Sequence, residues 1–404
     1  MKATTLRALQ SPWLVRLACF VLFVLAAAVA IKSGNQTHWP DESIYVDIAK
    51  GLSHGQSFLN DKGEVSAFRP PGYPFAVSLV FRISESVLLV KFMGVLALTV
   101  TAWLLALLVR TLAPKAHALA PCLVLAYPVL TYTSSTLTPQ MLGSMLLVAG
   151  MLLVFRFPRH GWAAAAAGAL FGALILIIPA FALVMACLGL VLAVGRFWVS
   201  TYGLRYLVIL YLVMAAVVTP WVVRSSLLFN EFVFISTNSG INLLFGNSPN
   251  ATSNSGVVDI SAFEPATPLG EVALDRHYKE AATQWIQGHP VQALQLYVGK
   301  VANYFNYRND ISTISESSKA ANAVMFLSYY PLLLIALVRC ALWRRYRFSY
   351  PELLLYLIYF GNAFLSAVVY TRIRYRLPFD FLLIAMVSTF VGRILQSLQF
   401  RGSE

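Results

Sequence analysis

Two adjacent carboxylates lie at a place in the chain where membrane-surface chemistry would need them. Asp41 and Glu42 belong to "WPDESIYVDIAKGL", a few residues beyond a hydrophobic segment that is long enough to span a bilayer. A carboxylate near the dry edge of a bilayer is partly desolvated, which raises its pKa and its basicity. Such a group is suited to take the proton from an attacking hydroxyl.

A helical conformation would place these two carboxylates on different sides. If the chain is helical from Asp41 onward, a step of about 100° per residue puts Asp41, Tyr45, Ile48 and Leu52 on one stripe and Glu42 about a quarter turn away. The pattern predicts an amphipathic helix lying on the membrane. Aspartate is also favoured as a cap at helix amino termini, so the sequence leaves capping and catalysis both open for Asp41.

Five arginines are candidates for holding a phosphate group on the same side of the membrane. Arginine suits this task because its planar guanidinium donates paired hydrogen bonds to phosphate oxygens. The candidates are Arg69 in "AFRPPGYPF", Arg224 after the seventh apolar segment, and Arg372, Arg374 and Arg376 in "YTRIRYRLPF". Anchoring to lipid headgroups is the alternative role for each of them.

The elements that must position these residues are membrane helices. Of the 404 residues, 58% are hydrophobic and 12% are charged, a balance that a soluble globule could not bury. About ten apolar segments are predicted to be transmembrane helices. They cover 13–31, 88–109, 116–130, 141–155, 162–178, 181–194, 204–223, 322–342, 353–370 and 377–395.

The charge pattern predicts the orientation of these helices. With the amino terminus in the cytoplasm, the short arginine-containing loops fall on the cytoplasmic side. All but two of the 17 acidic residues then fall outside. Two outer segments, 32–87 and 224–320, are too long to be connectors, and the apolar run 75–83 is predicted to be a re-entrant or interfacial helix. We predict a single domain, 1–404, with two outer elaborations.

The same pattern excludes one class of partner and gives no sign of a cofactor. The net charge of +13 comes from basic residues beside the spans, which match a lipid bilayer with anionic headgroups better than nucleic acid. His38, His54, His277 and His289 are scattered among unclustered acids. We therefore expect no metal site and no cofactor, with a divalent cation as the less favoured alternative.

The order of the motifs resembles a known superfamily. An Asp-Glu pair after the first span, a short helix, an Arg before Pro-Pro, the stretch "TPWVVRSSLLFNEF" and the final "YTRIRYRLPFDFLL" are similar to the GT-C glycosyltransferases. The likeness is specifically to the bacterial protein O-mannosyltransferase and lipid A aminoarabinose transferase group. Ser225, Gln140 and the pair Ile178 and Pro179 depart from the pattern of many relatives.

The resemblance implies an all-α integral membrane protein with a GT-C-like bundle and interfacial helices in its outer loops. It also implies an inverting glycosyltransferase that moves a sugar from a polyprenyl-phosphate carrier to a lipid, glycan or protein acceptor. Carried over, Asp41 is the general base and Glu42 the second choice. The five arginines contact the donor phosphate, with Arg374 and Arg376 favoured. The implied location is the outer face of a bacterial inner membrane.

Weaker candidates for substrate binding accompany these residues. Tyr45 and Tyr73 lie near the carboxylates and the proline-rich turn, and Asn238, Asn242 and Asn247 belong to the polar stretch "STNSGINLLFGNSPN". An ordinary turn-rich connector is the alternative for that stretch.

Two other functions stay open at this point. One is a transporter or flippase for a lipid-linked glycan, which would need charged residues inside the spans. The other is a polysaccharide polymerase or ligase. A non-catalytic relative that acts in assembly is a further alternative.

Overall fold

A computed structural model describes residues 9–60, 62–195, 202–254, 258–308 and 319–401. The described residues form sixteen α-helices, two short 3₁₀ turns and one isolated bridge between Leu59 and Val65. Residues 1–8, which the charge pattern places in the cytoplasm, lie outside the described residues. The helices are α1 Pro12–Ser33, α2 Pro40–Ser53, α3 Gly72–Phe81, α4 Val87–Leu112, α5 Leu119–Leu125, α6 Pro128–Ser134, α7 Gln140–Arg156, α8 Gly161–Ile177, α9 Phe181–Gly195, α10 Leu204–Phe229, α11 Ser239–Gly246, α12 Glu271–Gly288, α13 Pro290–Tyr304, α14 Lys319–Ala341, α15 Tyr350–Ala367 and α16 Ile373–Arg401.

The chain is a multi-pass, all-helical membrane protein. Among the described residues, five helices are long and apolar enough to cross a bilayer: α1, α4, α10, α14 and α16. The pair α5 and α6, bent by 64°, makes a sixth span if counted as one. Helices α7, α8 and α9 are apolar but shorter. Each predicted segment therefore contains helix, but the count of about ten spans is not confirmed.

The last long helix lies at the centre of the bundle. In its most apolar stretch, 83% of the residues of α16 are buried, compared with 22% for α14. Helices α4, α5, α7, α14 and α15 all contact α16. The residues at its amino end are therefore held by several neighbouring elements.

Helix α2 packs on α3, and its buried side differs from the predicted stripe. Tyr45 and Ile48 are buried as expected, but Glu42 is fully buried, whereas Asp41 is only half-buried. The prediction that Glu42 turns away from the apolar side is therefore wrong, because the apolar side faces protein and extends to Glu42. Helix α3 has ten residues, too few to cross a bilayer.

The second outer elaboration is a small helical layer above the bundle. Helices α11 and α12 pack around Leu244, Tyr278 and Ala282. A Cβ atom on Gly246, the last residue of α11, would lie 1.7 Å from the backbone oxygen of Val369. Only glycine permits this approach, which brings the outer layer against the segment before α16.

Candidate active site

Asp41 bridges two arginines that come from distant parts of the chain. Its Oδ1 accepts a hydrogen bond from Arg69 Nη2 at 2.8 Å, and its Oδ2 accepts one from Arg374 Nη1 at 2.8 Å. The exposed fractions of these side chains are 28% for Asp41, 19% for Arg69 and 36% for Arg374. We call these three residues the Asp41 cluster. It joins α2, the proline-rich turn and the first turn of α16.

The Asp41 cluster has hydrogen-bond donors and positive charge to spare. The Nε atoms of Arg69 and Arg374 are both buried and have no hydrogen-bond partner among the described residues. Two guanidinium groups face a single carboxylate, so one positive charge is not compensated by Asp41. Buried donors of this kind are normally satisfied, and an anion could satisfy both.

The two arginines also decide the acidity of Asp41. Burial alone would raise the pKa of Asp41, but the charges and hydrogen bonds of Arg69 and Arg374 outweigh burial and hold its pKa below the ordinary value. The expectation that desolvation raises the basicity of Asp41 is therefore wrong for the chain as described. Asp41 is an anion across neutral pH and a weak base while both arginines hold it.

Neither Asp41 nor Glu42 caps the amino end of α2, so the capping alternative is not supported. Glu42 accepts hydrogen bonds from the backbone N–H of His38 at 2.7 Å and of Leu137 at 3.1 Å. Among the described residues, the hydrogen bonds of Asp41 come from Arg69 and Arg374 and none from a backbone N–H of α2. Glu42 is thus a structural carboxylate with both oxygens engaged, and its candidacy as a general base is not supported.

Tyr45 and Tyr73 form an aromatic wall behind Arg69. Their rings contact edge to face at 5.1 Å, and the guanidinium of Arg69 lies 5.7 Å from the Tyr45 centroid. Both tyrosines are buried, and burial raises the pKa of each phenol. They remain neutral and position Arg69 through cation–π and packing contacts.

A chain of hydrogen bonds leads from Arg374 to the outer helical layer. Arg374 Nη2 donates to the Tyr375 hydroxyl at 3.1 Å, and the Tyr375 and Tyr370 hydroxyls lie 3.0 Å apart. The Tyr370 hydroxyl donates to Asn242 Oδ1 at 3.1 Å. Asn242 therefore reaches the Asp41 cluster only indirectly. Tyr370 and Tyr375 were missed in the sequence, although both lie beside the arginines in "YTRIRYR".

Two half-buried charged residues fix the segment that carries Arg69. Glu271 of α12 accepts hydrogen bonds from the Ser66 hydroxyl at 2.6 Å and the Ala67 N–H at 2.8 Å. Arg224 donates to the Ser66 backbone oxygen at 3.0 Å and lies 4.6 Å from the Trp221 ring centroid. Arg224 thus supports the first outer loop from below. The described contacts do not place it in the Asp41 cluster.

Comparison with known proteins identifies the architecture. No known family model and no curated protein matches the sequence. An oligosaccharyltransferase from Archaeoglobus fulgidus in its apo form matches with a TM-score of 0.56 and 14% identity, covering 95% of this chain and 51% of that chain. The archaeal oligosaccharyltransferase AglB of that organism, in complex with an inhibitory peptide and a dolichol-phosphate, matches with a TM-score of 0.53 and 14% identity. The chain has a GT-C fold.

The GT-C match extends over only part of these relatives. The chain spans about half the length of the oligosaccharyltransferases. The match to the peptide complex includes 95% of the present chain but only 51% of the oligosaccharyltransferase chain. ArnT from Cupriavidus metallidurans bound to undecaprenyl phosphate is also similar, with 16% identity and coverage of 93% of this chain and 78% of that chain. The TM-score of this match is 0.44.

Within the GT-C fold, Arg376 points away from the Asp41 cluster. Its Nε donates to Asp380 at 3.1 Å, and its Nη1 donates to the backbone oxygens of Tyr304 and Asn306, both at 2.7 Å. The side chain is fully buried beneath Tyr329. The prediction that Arg376 contacts the donor phosphate is not supported, because its donors serve the interior of the bundle.

Three further candidates, Arg372, Asn238 and Asn247, have their described contacts outside the Asp41 cluster. Arg372 lies 5.7 Å from the ring centroid of Tyr370. Asn238 accepts a hydrogen bond from Ser236. Asn247 is buried and donates to the backbone oxygens of Leu243 and Val368, which ties α11 to the segment before α16.

Lys300 completes this junction. Its Nζ donates to the backbone oxygens of Gly246 and Val369 and to Asn247 Oδ1. Desolvation by burial lowers the pKa of Lys300 to about 8. The lysine was missed because its acceptors come from two segments, at Gly246–Asn247 and at Val369, that are far from it and from each other in the sequence.

The described residues offer no preformed metal site. No group of three or more His, Cys, Asp or Glu side chains among them is arranged to hold a metal ion. Cofactor independence therefore stays a prediction from the sequence.

Replacing Glu42 with alanine should destabilise the fold. Two backbone N–H groups would lose their acceptor at a cost of about 1–3 kcal/mol each, so we expect a loss of about 2–6 kcal/mol. Denaturant unfolding of the purified protein in detergent measures this loss. Glu85→Ala, an exposed carboxylate of the same loop, is the matched control. Equal stability of the two variants would remove the structural role of Glu42.

Lys300 should give the protein a pH-dependent stability. The folded-state pKa of about 8 lies below the unfolded value, so between pH 8 and 10 the unfolded chain binds more protons and stability rises with pH. The unfolding free energy of the wild type relative to Lys300→Met should increase by about 1–3 kcal/mol over this range. Lys62→Met, at an exposed lysine, should give no such trend. A flat difference for Lys300→Met would contradict the low pKa.

Proposed function

We propose that this chain is an inverting glycosyltransferase that moves a sugar from a polyprenyl-phosphate carrier to an acceptor hydroxyl. The carrying observation is the Asp41 cluster, in which two arginines with unused donors surround one carboxylate at the edge of a membrane bundle. This arrangement supplies both groups that the reaction needs, a cation pair for a phosphate and a base for a hydroxyl.

The donor phosphate fits the unused side of the cluster. The Nε donors of Arg69 and Arg374 and the uncompensated charge favour an oxyanion. The similar oligosaccharyltransferase AglB binds a dolichol-phosphate, which supports the same class of donor here. Arg372, half-buried next to Tyr370, is a further candidate for the same phosphate.

Phosphate binding would also activate the base. In the chain as described, Arg69 and Arg374 hold the pKa of Asp41 low. A phosphate that shares these guanidinium groups adds negative charge beside Asp41 and weakens its two hydrogen bonds. Both changes favour the protonated carboxyl and raise its pKa. Asp41 therefore becomes an effective base only when the donor is present.

The proposed chemical step is a single displacement at the anomeric carbon. The acceptor oxygen forms a bond to the anomeric carbon while the bond from that carbon to the phosphate oxygen breaks. The bonding electron pair leaves with the phosphate, where Arg69 and Arg374 stabilise the charge. The hydroxyl proton passes to Asp41. A single displacement of this kind inverts the anomeric configuration.

The charge pattern supports the proposed location. The arginine-containing short loops support a cytoplasmic amino terminus and an active site on the outer face of a bacterial inner membrane. The acceptor would be a lipid, a glycan or a protein on that face. The bilayer holds both the enzyme and the lipid-linked donor.

A transporter or flippase is less well supported. The two fully buried charged residues of α16, Arg376 and Asp380, bind each other, two backbone oxygens and the Tyr127 hydroxyl. A pair closed in this way offers no free group to a passing headgroup. A polysaccharide polymerase or ligase that does not need Asp41 would be recognised by full activity of Asp41→Asn.

Release of the carrier lipid tests the proposed function without knowledge of the sugar or the acceptor. The purified protein in lipid nanodiscs is incubated with a panel of polyprenyl-phosphate sugars and an envelope extract, and free polyprenyl phosphate is quantified by mass spectrometry. We expect release from one donor that depends on the extract and falls in Arg374→Met. No release from any donor would overturn the proposal.

A further inference from the structure

A polar cavity lies in the outer helical layer, away from the Asp41 cluster. Its volume is about 510 Å³, within the range of roughly 300–1,000 Å³ that small-molecule sites occupy. One wall is the segment from Ser248 to Ser253, and the other is the junction of α12 and α13. The polar and aromatic side chains of the lining are Ser248, Ser253, Trp285, His289, Gln292 and Gln295.

The lining has the chemistry of a site for an uncharged polyol. It offers hydroxyl groups from Ser248 and Ser253, amides from Gln292 and Gln295, and the aromatic surface of Trp285. No carboxylate, lysine or arginine belongs to the described lining. Hydroxyls and amides both donate and accept hydrogen bonds, as a sugar does, whereas an anion would want cations.

Two features indicate a built site rather than a surface hollow. The Ser248 hydroxyl is buried, with 1% of the residue exposed, and has no hydrogen-bond partner among the described residues. Such a group normally has a partner, so a ligand hydroxyl in the cavity would satisfy it. Trp285 and His289 stack with centroids 5.4 Å apart and planes inclined by 19°, and His289 Nδ1 lies 3.1 Å from the Trp285 backbone oxygen. This stack gives the cavity a rigid aromatic side.

The cavity is connected to the Asp41 cluster through the outer layer. Ser248 directly follows Asn247, which Lys300 and the Val368 backbone oxygen hold in place. Helix α11, which ends at this point, carries Asn242 and so begins the hydrogen-bond chain to Arg374. An occupant of the cavity would therefore be held by the same layer that supports the cluster.

We propose that this cavity binds an uncharged saccharide unit of a substrate glycan. The assignment of the occupant to a substrate rests on the proposed function, whereas its chemical class comes from the lining. The saccharide belongs either to the acceptor or to the lipid-linked donor. Gln292 and Gln295 are exposed on α13, and they hydrogen-bond its hydroxyls together with Ser248.

Saturation-transfer NMR on the full protein in nanodiscs tests this site directly. The probes are the methyl glycosides of glucose, galactose, mannose and N-acetylglucosamine, with glucuronic acid as a charged comparison. We expect transfer to at least one neutral glycoside, and about tenfold weaker binding in Gln292→Ala/Gln295→Ala, because hydrogen bonds to both amides are lost. Gln287→Ala, an exposed glutamine of α12 outside the lining, should bind as the wild type does.

The outcomes separate this inference from the proposed function. Absence of transfer to every neutral glycoside, or equal binding in the double variant and the wild type, overturns the saccharide site. Binding that persists in Asp41→Asn while carrier release is lost supports both proposals. Glycoside binding without any carrier release overturns the transferase and leaves the saccharide site. Competition by the polyprenyl-phosphate sugar assigns the site to the donor, and lack of competition assigns it to the acceptor.

Discussion

Asp41→Asn should lower the rate of sugar transfer by roughly 10²–10⁴-fold, the contribution typical of a positioned general base. The amide has nearly the shape of the carboxylate but does not take up the acceptor proton at neutral pH. It also has a single acceptor oxygen, so one of the two bonds to Arg69 and Arg374 is lost. The initial rate of polyprenyl phosphate release at saturating donor measures the effect.

The matched control for this substitution lies on the same helix. Asp47 is exposed on the opposite side of α2, and Asp47→Asn should transfer at the wild-type rate. Both variants should unfold close to the wild type, because the Asp41 cluster is partly exposed and such ion pairs contribute about 0–1 kcal/mol. A rate for Asp41→Asn within twofold of the control would remove Asp41 from the mechanism.

The parts of the fold that follow local patterns could be predicted from the sequence. Hydrophobic runs of membrane length placed a helix in every predicted segment, and the break at "GHP" separated α12 from α13. The number of spans could not be predicted in this way. Helices such as α7 and α8 are apolar but have 17 residues each, fewer than a full span usually has.

Contacts between residues that are distant in the sequence could not be predicted from local patterns. Arg69 and Arg374 are separated by most of the chain, yet both bind Asp41. Only the resemblance to a superfamily suggested that they meet, and it did not indicate that they would lower the pKa of Asp41. That effect depends on contacts closer than 3 Å, which no spacing rule supplies.

The different directions of Arg374 and Arg376 could have been predicted from the sequence. The three alternating arginines of "TRIRYR" were all taken as candidates for the donor phosphate, with Arg374 and Arg376 favoured together. The helix begins at Ile373 and includes Pro378. A step of about 100° per residue then places Arg374 and Arg376 about 200° apart, on opposite sides of α16. The helical period thus predicts that only one of them faces the outer site.

The position of Glu42 shows a second limit of pattern reasoning. The helical step placed Glu42 about a quarter turn away from the apolar stripe, whereas its burial puts a carboxylate on an apolar face. The structure compensates this burial through the backbone N–H groups of His38 and Leu137, which supply the hydrogen bonds that burial requires. Leu137 lies far away in sequence, so this compensation could not be foreseen.

Arg376→Met should destabilise the fold by about 3–5 kcal/mol, the typical cost of breaking a buried ion pair from one side. The substitution leaves Asp380 buried at the centre of the bundle with the Tyr127 hydroxyl but without its cation. It also removes the donors that tie the end of α13 to α16. Denaturant unfolding in detergent measures the loss.

Arg374→Met is the decisive comparison, because it removes the same charge from the other side of α16. Its ion pair with Asp41 is partly exposed, so its stability should change by at most about 1 kcal/mol while carrier release is lost. The two substitutions should therefore have different effects. Arg376→Met should lower the free energy of unfolding, and Arg374→Met should abolish sugar transfer. If Arg376→Met keeps wild-type stability and loses transfer, Arg376 belongs to the phosphate site after all, and the buried pair with Asp380 must open when the donor binds.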